Sequence, residues 1–172
     1  LHAAGAIHPG GLSTEVAVAP PPALSHYALP EPPAGQRLRE SIGCCLGFLD
    51  TAPEFVTFPL FCAIWAAPLF QNDFSIHLVG RTQAGKSELC TLVLRFWGRG
   101  FTSRDLPASW SSTANSLESL AFAAKDAILV IDDFVPSGGQ SDVQRLHREA
   151  ERILRAQGNR SGRQRMRSDT SI

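Results

Sequence analysis

The chain has 172 residues, its 16 basic and 16 acidic side chains cancel, and it is 44% hydrophobic but only 19% charged. Those figures exclude a charge-rich disordered chain, an overtly basic nucleic-acid binder and a collagen-like repeat, and the length suits one domain of ordinary size. Cys44, Cys45, Cys62 and Cys90 form no C-x-x-C pair, and the five histidines show no metal-ligand spacing. Neither a zinc site nor a disulfide scaffold is expected, and a reducing cytoplasm is the simplest compartment. The neutrality is uneven. Residues 1–143 carry 8 basic against 13 acidic side chains, whereas residues 144–172 carry 8 arginines against Glu149, Glu151 and Asp169.

Residues 1–35 hold seven of the twelve prolines and no sustained periodicity. Proline fixes φ and removes a donor, so this stretch is expected to be an extended, poorly ordered linker. It lacks a basic segment before an apolar one, so no signal peptide is expected, and it reads as the end of something upstream. The remainder, 36–172, is expected to be a partial P-loop domain, with a helical pair over 36–70 and a nucleotide-binding core over 74–172.

Leu38, Ile42, Cys45, Leu46 and Leu49 mark one face of a first helix. Thr51 and Glu54 are spaced as a capping box for a second, with Pro53 in its first turn. The apolar run 55–70 is too short for a membrane span and contains Pro59 and Pro68, so it is expected to be a buried core helix kinked or broken at proline, with no membrane contact. Phe74–Val79 reads as a strand and Lys86–Trp97 as a helix with Leu89, Leu92, Val93 and Phe96 inward. A loop with a short strand near Phe101 follows, then a helix over 117–124 capped by Ser112 or Asn115. Ala127–Ile131 reads as a buried strand closed by Asp132 and Asp133. Ser141 and Gln144 are spaced as another capping box, opening a helix with Val143, Leu146, Ala150, Ile153 and Leu154 inward. Apolar strands separated by helices indicate an α/β fold with a parallel sheet.

Gly80-Arg81-Thr82-Gln83-Ala84-Gly85-Lys86-Ser87 fits G-x-x-x-x-G-K-[ST], a pattern expected by chance only about 0.002 times at this composition and length. Glycines let successive amides face one anion, Lys86 suits the β- and γ-phosphates, and the Ser87 hydroxyl is a hard ligand for Mg²⁺. The following helix adds its positive end. Asp132, closing a buried strand 45 residues after Ser87, is the second candidate metal ligand, and Asp133 is the candidate base for the attacking water. An acid directly after the metal-side Asp favours a hydrolase over a small-molecule kinase. The expected fold is therefore a three-layer P-loop NTPase core, incomplete at the C-terminus because the expected sensor strand is not in the chain.

The run Trp110-Ser111-Ser112-Thr113-Ala114-Asn115-Ser116-Leu117-Glu118-Ser119-Leu120-Ala121 resembles the W-x-S-T-x-N-x-L-E-x-L-A signature of a P-loop family catalogued as a domain of unknown function and found in phage-, plasmid- and genomic-island-encoded primase–helicase-like proteins. Arg155-Ala156-Gln157-Gly158-Asn159-Arg160-Ser161-Gly162-Arg163 fits the same group. The resemblance covers roughly residues 36–172 and implies a RecA/AAA+-like ATPase working as a homo-oligomeric ring on DNA. Members often carry Asp-Glu where this chain has Asp132-Asp133, a difference that touches the catalytic base and not nucleotide binding. From spacing alone, Trp110 is a core residue and Asn115 a helix cap; the resemblance adds that their segment lines the nucleotide or a neighbouring subunit. Trp65 and Trp97 read as core.

The arginine-rich end has three readings. It is a solvated helix face with Glu149/Arg152 and Glu151/Arg155 pairs, a contact to DNA phosphates, or an arginine finger reaching a neighbour's γ-phosphate. Arg160 and Arg163, between Gly158 and Gly162, are the specific candidates for the last two. The functional expectation is ATP binding and Mg²⁺-dependent hydrolysis within a helicase-like motor of a mobile element. A nucleotide-gated switch without DNA translocation is the alternative.

Overall fold

The computed structural model describes residues 5–13, 15–124, 126–136 and 138–159. A small antiparallel hairpin, β1 (Ala6–His8) with β2 (Gly11–Ser13), precedes five helices. These are α1 (Gly35–Gly47), α2 (Glu54–Leu69), α3 (Lys86–Arg95), α4 (Ala114–Ala123) and α5 (Gln140–Gly158). Between them lie β3 (Ala108–Ser109) and β4 (Ile131–Asp132), which pair in parallel with Ala108 opposite Ile131 and Ser109 opposite Asp132. The sequence β3–α4–β4 is one parallel β-α-β unit.

The apolar run Ala127–Ile131 organises the packing, because its residues feed three separate cores. Ile128 joins Phe48, Leu60, Ile64 and Val93, contributed by α2, α3 and the 3₁₀ turn Phe48–Thr51. Leu129 and Ile131 join Ala108, Leu117 and Ile153 on the side of α4 and α5. Ala127, Leu129 and Val130 meet Leu24, Tyr27, Leu94, Phe101 and Ala124. Only its last residue, together with Asp132, is laddered, so the strand expected over 127–131 starts later and gains a partner at Ala108–Ser109 that periodicity did not reveal. A two-residue strand carries no period-2 signal.

The segment expected to be a linker contributes to this core. Leu24 and Tyr27 are buried, the Tyr27 hydroxyl donates to the Ile128 carbonyl at 2.8 Å, and its ring meets Phe101 edge-on at 5.0 Å. Gly98 permits the approach: a Cβ there would run into the His26 carbonyl oxygen. His26 also lies 3.3 Å from the Asp105 carboxylate. Proline content governs local conformation, whereas burial depends on apolar contacts made some 70 to 100 residues away in sequence.

Other elements differ from expectation for local reasons. Phe74–Val79 forms no strand in the structure; Leu78 packs into the α2–α3 core while Phe74 and Val79 are exposed. The Thr51–Glu54 capping box does not form. Thr51 Oγ1 donates back to the Phe48 carbonyl at 2.7 Å, and Pro53 is the N-cap without a side-chain bond. Helix α2 runs unbroken through Pro59 and Pro68, and near its C-terminus the Ala66 carbonyl accepts from both the Phe70 amide and Asn72 Nδ2. Thr57, Leu60 and Ile64 are buried, but Phe55, Phe58, Trp65 and Leu69 are exposed, so only one face of the expected core helix, and not Trp65, is interior. In α1 no residue is buried, and Leu38, Ile42 and Leu46 remain exposed.

The cap of α4 is Thr113, whose hydroxyl accepts from the Ser116 amide at 3.3 Å; neither Ser112 nor Asn115 fills that role. At α5 the Ser141–Gln144 box is absent, and Asp142 instead accepts from the Gly139 amide at 3.2 Å. Ala150 and Ile153 are buried as expected, while Leu154 is exposed. No helix among the described residues is long and apolar enough to cross a membrane.

Tyr27→Phe should lower stability by about 1 kcal/mol by leaving the Ile128 carbonyl unpaired, and Tyr27→Ala by about 3–5 kcal/mol through a cavity. Urea midpoints measure both, and a head that packs nowhere would leave both unchanged.

Candidate phosphate and metal site

The Gly80–Ser87 loop leads into α3, which begins at Lys86 with Gly85 as its N-cap. Gly85 has φ +78° and Gln83 φ +63°, so two left-handed residues flank Ala84 and curl the chain tightly ahead of the helix. Glycine removes the steric cost at 85, whereas Gln83 holds the conformation with a Cβ. No side chain caps α3, and the first intrahelical bond runs from the Leu89 amide to the Gly85 carbonyl. The amides of Lys86, Ser87 and Glu88 thus form the electropositive end of the helix that a phosphate group requires.

Residues 80–85 are exposed; Lys86 and Ser87 are half-buried. The Lys86 ammonium folds back over its own loop, donating to the Gly80 carbonyl at 2.9 Å and the Arg81 carbonyl at 2.8 Å. The Ala84 amide donates to the same Arg81 oxygen at 3.3 Å. Two neutral carbonyl oxygens thus hold the Lys86 ammonium within the curl.

Ser87 Oγ donates to Asp132 Oδ2 at 2.9 Å, across 45 residues of sequence. Two hard oxygens thus meet beside the loop, one from the helix that opens with Lys86 and one from the end of β4. That donor chemistry fits Mg²⁺, which takes few protein oxygens and completes its octahedron with phosphate and water. Thr91 is buried one turn on and donates to the Ser87 carbonyl, which holds that first turn in place. Cys90 is in the same region: burial, and secondarily the charge of Asp132, push its thiol above the ordinary range.

Asp133 is exposed and has φ +59°, an uncommon conformation for a residue with a Cβ. Among the described residues its carboxylate makes no hydrogen bond or ion pair, so it is open to solvent next to the Ser87–Asp132 pair. The next residue, Phe134, sits among three rings: Trp110 at 5.5 Å, His147 at 5.7 Å and His77 at 6.0 Å. This cluster was not foreseen, since its members come from four separate parts of the chain.

The signature segment has roles that spacing did not supply. The Trp110 amide donates to the Asp132 carbonyl at 2.9 Å. Asn115 Oδ1 accepts from Arg152 Nη2 at 3.3 Å. Glu118 Oε1 lies 2.8 Å from Arg152 Nε, a close ion pair whose N–H direction is not that of a hydrogen bond. Arg152 therefore pairs with α4, not with Glu149 as the spacing suggested, because the interhelical partner is half-buried and pre-placed. The Glu151–Arg155 pair does form, at 2.7 Å. Arg160 and Arg163 lie outside the described residues.

Gly85→Ala should cost about 1–2 kcal/mol from the left-handed backbone alone, since no atom lies within 4 Å of its Cβ position, and Gly85→Asn should cost less. Urea denaturation of the two variants checks the order. At neutral pH, iodoacetamide should alkylate Cys90 more slowly than the exposed Cys44 and Cys62, with peptide mass spectrometry reading the rates.

No curated protein and no solved structure matches the chain. One family does, over residues 57–170, a span that takes in the loop, the signature, Asp132–Asp133 and α5. The chain belongs to the family described as Domain of unknown function (DUF927).

Proposed function

We propose that this chain binds ATP with Mg²⁺ at the Gly80–Ser87 loop and hydrolyses it, as the P-loop ATPase part of a helicase-like motor of a mobile genetic element. The observation that carries the proposal is the 2.9 Å meeting of Ser87 and Asp132 beside a loop that ends in an uncapped helix start and Lys86. Neither half is specific alone; a strand ending in acids is common, and so is a glycine turn. Their convergence is what phosphoryl transfer requires.

In this reading the amides of Lys86, Ser87 and Glu88 hold the phosphates, and the Lys86 ammonium exchanges the Gly80 and Arg81 carbonyls for β- and γ-phosphate oxygens. Ser87 Oγ and Asp132 would hold Mg²⁺, which would supply positive charge to the transferring phosphoryl group. Asp133 orients a water and takes its proton as the water oxygen bonds to the γ-phosphorus and the bridging P–O bond breaks toward ADP. Arg160 or Arg163 serves in trans on a neighbour's γ-phosphate, or on the DNA backbone, in a homo-oligomeric ring.

The nucleotide-gated switch remains the second reading, and Asp133, exposed and without a partner among the described residues, favours it. A carboxylate one methylene shorter than Glu reaches less far toward a water. Lys86→Ala should abolish ATP binding in the intact protein by calorimetry; unchanged affinity refutes the site. Asp133→Asn should retain ATP binding and lower turnover about 100-fold or more. Single-stranded DNA should accelerate turnover if the protein is a translocase and leave it unchanged if it is a switch.

A further inference from the structure

The chemistry above uses none of Trp110, Asn115, Glu118 or Arg152, yet each is held in a specific contact. We infer that Trp110–Glu118 is a bracket that positions Asp132 and Asp133 by tying the end of β4 to α5, an assignment that rests on the nucleotide reading. At one end of the bracket, Trp110 holds the last residue of β4 and a residue just beyond it. Its amide donates to the Asp132 carbonyl at 2.9 Å, and its ring meets Phe134 edge-on at 5.5 Å. Asp133 sits between those two anchored residues with φ +59°, an uncommon conformation for a residue with a Cβ that the surrounding contacts hold.

At the other end, Asn115 and Glu118 stand three apart on α4, hence on one face, and both grip Arg152 of α5. The pair is two-thirds or more buried on each side (33% and 21% exposed), so it is shielded from the screening that weakens surface pairs. Leu117, between them, is fully buried and packs in one cluster with Ile153 of α5. Thr113 caps the start of α4 and so sets where that face begins.

Helix α5 closes the circuit from its own side. His147 meets Phe134 at 5.7 Å, and Gln157 Nε2 donates to the Asn72 carbonyl at 2.8 Å, on the segment that leads into the phosphate loop. A shift of α5 therefore reaches Phe134 directly and Asp132 through Trp110. These are positioning residues: among the described contacts they reach β4, Phe134 and α5 and not Ser87 or the loop, and their effect passes through the orientation of the acidic pair. Outer partners of this kind govern how well a metal ligand is presented rather than whether an anion binds.

The test is the affinity of the intact protein for a fluorescent ATP analogue, measured with Mg²⁺ and with EDTA. In Trp110→Ala and Arg152→Gln the affinity in EDTA should stay within about twofold of wild type, because Lys86 and the loop amides are untouched. The gain on adding Mg²⁺ should fall about tenfold. Trp110→Phe, which restores a ring against Phe134 while the backbone amide is the same in both variants, should recover most of that gain and guards against a misfolded alanine variant. Glu118→Gln combined with Arg152→Gln should be no worse than either alone, as for two halves of one contact. The bracket is overturned if the Mg²⁺ gain is unchanged in the folded variants, or if both affinities fall together. A wild-type protein that binds no nucleotide overturns the parent reading and the bracket with it.

Discussion

Everything near the site depends on how the five-residue run Ala127–Ile131 is buried. Ile128 is committed to the core of α2 and α3, while Leu129 and Ile131 are committed to that of α4 and α5. Val130 faces the core that Tyr27 and Phe101 build. A segment held by three apolar clusters cannot slip by one residue without exchanging its faces, so its register is fixed by the hydrophobic effect. Asp132 follows immediately, and the same register sets its carboxylate 2.9 Å from Ser87. Polar geometry at the site is thus an outcome of apolar packing behind it.

That packing explains why the site can hold uncommon backbone conformations. Gln83 and Asp133 both adopt positive φ with a Cβ present, on opposite sides of the Ser87–Asp132 contact. Such residues persist where the surroundings over-determine them. On one side the determinant is the curl closed by Lys86 on the Gly80 and Arg81 carbonyls. On the other it is Trp110 together with the ring cluster around Phe134. Interior order extends only so far, however. Leu38, Ile42 and Leu46 of α1 and Phe55, Phe58, Trp65 and Leu69 of α2 face outward.

Legibility in the sequence followed the range of the forces involved. The Gly80–Ser87 motif was readable because it is eight consecutive residues whose backbone freedom and charge are local properties. The five helices were readable to within a few residues, since helical periodicity is also local. Caps were not: Thr51, Ser141, Ser112 and Asn115 all carry suitable side chains, but Thr51 donates to the Phe48 carbonyl, Asp142 takes the Gly139 amide and Asn115 accepts from Arg152. Nor was the Phe74–Val79 segment, whose strand-like composition does not by itself supply a ladder partner.

The amino-acid sequence by itself determined the eight-residue loop, the acidic end of an apolar run and the family signature, because each is a pattern of neighbours along the chain. Only the tertiary structure decided that Ser87 meets Asp132, that Tyr27 from the proline-rich head closes over Ile128, and that Asn115 and Glu118 share Arg152. Those contacts join residues 34 to 101 positions apart. No local propensity encodes such distances; they follow from the burial of apolar surface in three cores that the chain assembles only as a whole.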